Sequence, residues 1–149
     1  MLNKGDSLPE ISLVNQDGNL ISLNDFKGRP LVIYFYPKNN TRVCTAQACG
    51  FRDNYEQFKE AGAEVIGISQ DSSESHKKVV NNRKLPFILL SDSKKEALKA
   101  FKIPSLFFGL IPARVTFVFD KSGKVVHVFR ADFNADKHIE ETLSIINSL

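Results

Sequence analysis

The stretch YFYPKNNTRVCTAQACGFRDNY, from Tyr34 to Tyr55, joins an apolar run to a helical pattern and contains both cysteines of the chain. The run LVIYFY (Leu31–Tyr36) is β-branched or aromatic at most positions, which is typical of a strand buried on both faces. Pro37 ends that strand, since proline cannot continue the ladder of hydrogen bonds. Cys44 and Cys49 follow after a short polar segment, five residues apart.

A helix is predicted directly after this strand. Apolar residues recur there at three- and four-residue spacing, which marks one buried face, and Gly62 is a suitable stop. The residues of this face are Ala48, Phe51, Tyr55 and Phe58.

Strand and helix patterns alternate along the rest of the chain. Asp17-Gly18 predicts an N-terminal β-hairpin, and Lys121-Ser122-Gly123 predicts a second hairpin near the other end. This order predicts an α/β protein with a thioredoxin-like fold, in which helices flank a central mixed β-sheet that carries an N-terminal β-hairpin. With 149 residues, a single domain spanning 1–149 is expected. Further strands are predicted at Glu64–Ser69 and Phe87–Asp92, and further helices at Ser73–Arg83, Lys94–Phe101 and Asp136–Leu149.

Composition excludes several classes of partner. The net charge is +3, and the lysines and arginines are scattered, so we expect no nucleic-acid partner and no membrane-surface partner. No apolar run approaches the roughly 20 residues that span a bilayer. The first residues, MLNKGDSLPEISL, contain no apolar leader segment, and the sequence therefore predicts a cytoplasmic location.

The spacing of the two cysteines fits no static role. A zinc site takes four ligands, and the three histidines (His76, His127 and His138) lie far from the cysteines in sequence. A thioredoxin-type redox pair has the pattern C-x-x-C. If Cys44 and Cys49 share a helix, their Cα atoms are about 8.6 Å apart by ideal helix geometry, whereas a disulfide generally fails beyond about 7 Å. A disulfide would need the helix to open, which suits a cycle between two conformations better than a permanent crosslink.

Cys44 alone has the surroundings of a reactive thiol. Thr41 is a good N-cap residue, so Cys44 is predicted in the first helical turn, where unpaired N–H groups and the helix dipole favour a thiolate. Arg42 adds a nearby cation. A reactive thiolate followed by a second cysteine is typical of a redox-active thiol with a resolving partner. The alternative is that both cysteines are ordinary buried apolar residues.

The segment YFYPKNNTRVCTAQACGFRD resembles the active-site segment of the peroxiredoxins, most closely the peroxiredoxin Q or bacterioferritin comigratory protein group. The family pattern P-x-x-x-T-x-x-C is present as Pro37, Thr41 and Cys44. The offset to Cys49 is similar to that of the group's resolving cysteine. The stretch ARVTFVFDKSGKV is similar to the strand that carries the family's essential arginine, here Arg114.

The resemblance implies a thioredoxin-dependent peroxidase. Cys44 would attack a hydroperoxide and become a sulfenic acid, and Cys49 would then form an intramolecular disulfide with it. Thr41 and Arg114 would stabilise the charge that develops on the peroxide, and Pro37 would shape the pocket. No metal, haem or flavin cofactor is implied. The expected partners are a hydroperoxide substrate and thioredoxin or a similar dithiol, and the expected state is a monomer, with a weak dimer through the active-site loops as the alternative.

Some positions depart from the family pattern or stay open. Arg42 and Val43 stand where members usually have Pro and Gly, and this keeps a second hypothesis, a thioredoxin-fold redox sensor or binding protein with little turnover. Gln47 resembles a residue of some members, with simple exposure to solvent as the alternative. Arg52 is interpreted as structural. The apolar segment SLFFGLI at 105–111 is expected to flank the pocket and to change between the reduced and disulfide forms.

Overall fold

The computed structural model describes residues 1–106, 109, 111–130 and 134–149, and its centre is a seven-stranded mixed β-sheet. The strand order is β2-β1-β5-β4-β3-β8-β9, with β3, β4 and β5 parallel and the other pairs antiparallel. The predicted mixed sheet with an N-terminal hairpin is therefore present. The strands are β1 (Ser12–Asn15), β2 (Leu20–Ser22), β3 (Leu31–Phe35), β4 (Glu64–Ser69), β5 (Ile88–Ser91), β6 (Ser105–Leu106), β7 (Ile111–Pro112), β8 (Val115–Phe119) and β9 (Val125–Arg130).

The apolar run that opened the sequence forms the centre of this sheet. All five residues of β3 are buried, because β4 and β8 pair with its two edges and helices or loops cover both faces. On one face Phe35 packs against Phe101 and Phe117, with ring centroids 4.9 and 6.0 Å away. On the other face Tyr34 stacks on Phe51 at 4.7 Å. The strand that leads to the cysteine-bearing segment is therefore packed on both faces.

Helices follow the strands as predicted, with one interruption. The single helix expected before Gly62 is divided at Asn54, whose side-chain Nδ2 and backbone N–H both donate to the carbonyl of Gly50. The side-chain bond shares the carbonyl that the helical N–H of Asn54 uses, and a local side-chain bond of this kind competes with the helical ladder. Gly62, with φ of +78°, ends the second piece. The helices are α1 (Arg42–Asp53), α2 (Tyr55–Glu60), α3 (Ser73–Arg83), α4 (Glu96–Ala100) and α5 (Ala135–Ser148).

The helix that carries both cysteines packs closely against the C-terminal helix. A Cβ atom added at Gly50 of α1 would collide with Cδ1 of Ile139 on α5. Ile139 and Ile146 are buried on the predicted apolar face of α5. The absence of a side chain at Gly50 therefore sets the distance between the two helices.

The remaining predicted strands and helices are present, and they differ from the structure only in where they begin and end. The segment at 105–111 is the exception. There β6 and β7 pair antiparallel, Ser105 with Pro112 and Leu106 with Ile111, while Phe107, Phe108 and Leu110 lie outside the described residues. The predicted role of SLFFGLI beside the pocket falls largely on those residues. Within the described part of the chain, no helix has the length and apolar character that crossing a membrane requires.

Candidate active site

Cys44 lies in the first turn of α1, just beyond the loop that follows β3. Its side chain is 3% exposed, and a narrow cleft beside it is lined in part by Tyr36, Asn39 and Val79. Pro37, at the start of the loop, is half-buried. The predicted placement of Cys44 at a helix start is therefore present in the structure.

A buried arginine contacts this thiol. Nη2 of Arg114 donates to Sγ of Cys44 over 3.2 Å, and Arg114 is 3% exposed. The sheet brings the two together, since Phe35 at the end of β3 pairs with Val115 at the start of β8. Arg114, one residue before β8, is thereby placed beside the chain that leaves β3.

Gln47 binds the other terminal nitrogen of the same guanidinium. Its Oε1 accepts from Nη1 of Arg114 at 2.7 Å, and its side chain is completely buried. Gln47 lies three residues after Cys44, on the same face of α1, so one arginine spans the thiol and the amide. Exposure of Gln47 to solvent, one of the two alternatives from sequence, is therefore wrong. Its Nε2 has no hydrogen-bond partner among the described residues.

Thr41 occupies the predicted N-cap position, but its side chain does not cap the helix. The residue is exposed and extended (φ −87°, ψ 156°), and its hydroxyl donates backwards to the carbonyl of Lys38 at 2.9 Å. The expected side-chain cap is wrong because the hydroxyl closes a local turn instead. The first N–H groups of α1 consequently have no side-chain acceptor from Thr41.

Cys49 lies five residues further along α1 and is half-buried, and both thiols are free. Since both residues belong to one continuous helix, ideal geometry keeps their Cα atoms about 8.6 Å apart, too far for a disulfide. Arg52, on the next turn, donates to Asp53 Oδ1 at 2.9 Å and to the carbonyl of Arg83 at 2.7 Å. These contacts agree with the structural interpretation of Arg52.

A buried polar network, which the sequence did not predict, supports the loop before α1. The Tyr36 hydroxyl donates to Asn39 Oδ1 at 2.7 Å, and Asn39 Nδ2 lies 2.9 Å from Nδ1 of His76 on α3. Burial raises the pKa of Tyr36 far above its ordinary value and lowers the pKa of His76. His76 gave no signal in sequence because it is a single polar residue in a polar helical pattern. Across residues 1–106, 109, 111–130 and 134–149, no three His, Cys, Asp or Glu side chains form a group that could hold a metal ion.

Comparisons with known proteins agree with this geometry. A family model described as the AhpC/TSA family matches residues 4–128. A chloroplastic peroxiredoxin Q from Sedum lineare is 51% identical over 148 residues, which are 99% of this chain and 80% of that protein. The crystal structure of the peroxidoxin BcpB from Mycobacterium tuberculosis matches with a TM-score of 0.92 at 30% identity, over 100% of this chain and 99% of that chain.

A further solved structure carries a description of its chemistry. The bacterioferritin comigratory protein of Xanthomonas campestris, studied for its alkyl peroxide reduction activity, matches with a TM-score of 0.87 at 28% identity. The match covers 96% of this chain and 98% of that chain. These structural likenesses confirm the predicted thioredoxin-like fold.

The predicted cytoplasmic location is wrong by the same comparisons. The relatives from Sedum lineare and Arabidopsis thaliana are both named chloroplastic. The prediction rested on the lack of an apolar leader segment, which bears only on secretion. Organelle transit peptides are amphipathic and rich in Arg and Ser, so the lack of an apolar segment does not argue against an organelle.

The family model spans most of the chain, and the plant relatives are about half identical to it over nearly its whole length. The resemblance seen at the active-site segment thus extends over the entire fold. The chain belongs to the AhpC/TSA family, in its peroxiredoxin Q group, and it is a thiol peroxidase.

Proposed function

We propose that the chain reduces hydrogen peroxide and organic hydroperoxides with Cys44 as the attacking group. The observation that carries this proposal is the 3.2 Å contact from the Arg114 guanidinium to the buried Cys44 sulfur. Arginine keeps its proton in proteins, so it presents a permanent positive charge and several donors to the sulfur and to a peroxide beside it. The alkyl peroxide reduction studied in the Xanthomonas campestris relative supports organic hydroperoxides as substrates.

The first step transfers one oxygen atom. The Cys44 thiolate attacks the terminal oxygen of ROOH, the O–O bond breaks, and the leaving RO⁻ takes a proton to become an alcohol, or water when R is hydrogen. Sulfur is oxidised by two electrons to a sulfenic acid, and the peroxide is reduced by the same two. Negative charge moves onto the oxygens, and donors that are already in place stabilise it. Arg114 and the first N–H groups of α1 fill this role, the Thr41 hydroxyl joins them once it turns away from the Lys38 carbonyl, and Pro37 shields the thiolate.

The second step forms a disulfide. The Cys49 thiolate attacks the sulfenic sulfur of Cys44, an S–S bond forms, and hydroxide leaves and is protonated to water. Because both residues lie on α1, the helix must unwind locally before the two sulfurs meet. Gly50 lowers the cost, since glycine is about 1 kcal/mol less favourable than alanine within a helix.

The cycle closes when an external dithiol reduces the Cys44–Cys49 disulfide. Thioredoxin or a similar protein is the proposed reductant, and its own dithiol is oxidised to a disulfide in the exchange. The protein is proposed to act as a monomer. No cofactor takes part in these steps.

The decisive experiment measures peroxide consumption with thioredoxin, thioredoxin reductase and NADPH. Cys44→Ser is expected to abolish turnover. Cys49→Ser is expected to permit one oxidation and then to accumulate a sulfenic acid that thioredoxin does not recycle, as dimedone labelling and mass spectrometry would show. Full activity of Cys44→Ser would overturn the assignment, and full recycling by Cys49→Ser would overturn the disulfide step.

A further inference from the structure

A buried histidine that the proposed cycle does not use lies one layer behind the active-site loop. His76 of α3 is completely buried, and its Nε2 lies 3.0 Å from the carbonyl oxygen of Leu90. A carbonyl oxygen only accepts, so Nε2 carries the proton of the neutral ring. Nδ1 is then an acceptor.

That acceptor faces the loop between β3 and α1. Asn39 Nδ2 donates to Nδ1 of His76 at 2.9 Å and to Ser75 Oγ at 3.0 Å. The Oδ1 of Asn39 accepts from the Tyr36 hydroxyl at 2.7 Å, and its backbone N–H donates to Asp71 Oδ2 at 2.8 Å. Asn39 is thereby bonded through both its backbone and its side chain, and the bonds to α3 and to Asp71 reach outside the loop.

The loop needs such an anchor because Asn40, the residue after Asn39, has a left-handed backbone conformation. Asn40 has φ of +62°, in the left-handed region, and Thr41 and the start of α1 follow it directly. Asparagine adopts that conformation more readily than most residues, but the conformation still costs free energy relative to the right-handed region, so the surroundings help to keep it. If Asn39 were released, Asn40 could relax and Thr41 would shift relative to Cys44.

We propose that neutral His76 is a positioning residue for the peroxide reaction: through its Nδ1 it holds Asn39, and through Asn39 it holds the loop that places Thr41 and the first turn of α1 around Cys44. This inference rests on the proposed function. It assigns His76 no contact with the substrate, since the imidazole acts only through Asn39.

The same geometry makes the anchor sensitive to protonation. A proton added at Nδ1 would put an N–H opposite the NH₂ group of Asn39, two donors facing each other, and the loop would lose its bond to His76 and keep only the bond from Asn39 to Ser75 Oγ on α3. The described groups that titrate near the ring are Asp71 after β4, whose charge favours the added proton, and Tyr36, the residue after β3. Burial opposes the added proton more strongly and lowers the pKa of His76, so the loop stays anchored at neutral pH.

Two isosteric substitutions separate positioning from general packing. In His76→Asn the amide oxygen lies near the position of Nδ1 and can still accept from Asn39. In His76→Gln the amide nitrogen lies near the position of Nε2 and can still donate to Leu90, but the acceptor for Asn39 is lost. The rate of Cys44 oxidation by hydrogen peroxide, measured in a single turnover by rapid quench, is expected to fall about tenfold or more in His76→Gln and to stay within about threefold in His76→Asn.

A third variant inverts the hydrogen-bond pattern. Asn39→Asp replaces the donor that faces His76 with an acceptor, so that the tie forms only when Nδ1 is protonated. The ratio of the oxidation rate to the rate of Cys44 alkylation is expected to fall in the native protein as pH drops below about 6.5, the ordinary pKa of histidine, whereas in Asn39→Asp this ratio is expected to rise relative to that of the native protein. His127→Gln, which changes a half-buried histidine of β9, is the control and is expected to keep the native profile.

Equal rates in His76→Gln and His76→Asn, or an Asn39→Asp profile parallel to the native one, would overturn the inference. Each rate is compared with alkylation of Cys44 by iodoacetamide, which needs the thiolate but no peroxide-binding donors. If the native protein itself shows no fast oxidation of Cys44 by peroxide, the proposed function fails. If the native protein reacts and the variants do not differ from it, only the role of His76 fails.

Discussion

Arg114 and Cys44 are 70 residues apart in sequence, yet Nη2 of the arginine donates to Sγ of the cysteine over 3.2 Å. The pairing of β3 with β8 creates this contact, because it places the residue before β8 beside the chain that leaves β3. The cysteine follows one central strand of the sheet and the arginine precedes its neighbour. A change in the arginine should alter the chemistry without altering the fold.

Arg114→Lys is expected to slow Cys44 oxidation by about 100-fold or more, since a lysine is a point charge that cannot span both Cys44 and Gln47. Stopped-flow or rapid-quench rates with hydrogen peroxide measure this effect. Arg29→Lys, which changes an exposed arginine, is the matched control and is expected to keep the native rate. An Arg114→Lys rate within threefold of the native rate would show that the bidentate geometry is unimportant.

Gln47→Leu is expected to lower the oxidation rate by about tenfold, because it removes the acceptor that orients Nη1 of Arg114, and hydrogen bonds to charged groups contribute about 1.5–3 kcal/mol. Gln47→Glu retains an acceptor but adds a negative charge beside Arg114, so it is expected to oppose the thiolate at neutral pH. Comparison of kcat with KM distinguishes orientation from binding. Native kinetics in Gln47→Leu would contradict the orienting role.

Gly50→Ala is expected to lower the free energy of unfolding by about 1–3 kcal/mol, because the new methyl group collides with Ile139 on α5. Urea denaturation measures the change. Ile139→Val in the Gly50→Ala background should restore part of the loss, since it shortens the side chain that the methyl group meets. If Gly50→Ala instead raises the free energy of unfolding, the helix preference for alanine outweighs the collision. The close approach of α1 to α5 then does not require glycine at this position.

Stability should fall on the acid side because of His76. Burial lowers the pKa of His76 in the folded protein, so below its ordinary value of about 6.5 the unfolded chain binds more protons than the folded one. The free energy of unfolding contributed by His76 is therefore complete above about 6.5 and declines as pH falls below it. Denaturation across this range in the native protein and in His76→Asn isolates the effect. Parallel curves would exclude it.

The sequence predicted the elements well where a pattern is local. The apolar run Leu31–Tyr36 became the central strand, and the stretch Glu64–Ser69 became β4 with the predicted bounds. The break at Asn54 was missed because it comes from a side-chain bond to Gly50, which apolar spacing does not report. The resemblance to peroxiredoxins indicated Arg114, but no local pattern places it beside Cys44, since that contact depends on strand pairing.

The site was predicted less completely where burial decides the role. Thr41 was correctly placed at the start of α1, yet its hydroxyl turns back to Lys38, a choice that residue type alone does not fix. His76 and Asn39 carried no signal because their importance comes from a network that joins segments distant in sequence. Charge and composition do not indicate the organelle in which a protein works, so they could not predict that the plant relatives are named chloroplastic.

The interruption at Asn54 has a consequence for how far oxidation can disturb the protein. The end of α1 is fastened on both sides, by Phe51 stacked on Tyr34 and by Arg52 bonded to the end of α3, and α2 begins afresh beyond the break. We therefore expect the unwinding of the proposed disulfide step to be confined to residues 42–50. We expect the sheet and the aromatic core to keep the same arrangement in both redox forms. The free energy of unfolding should then be the same after many turnovers as before them.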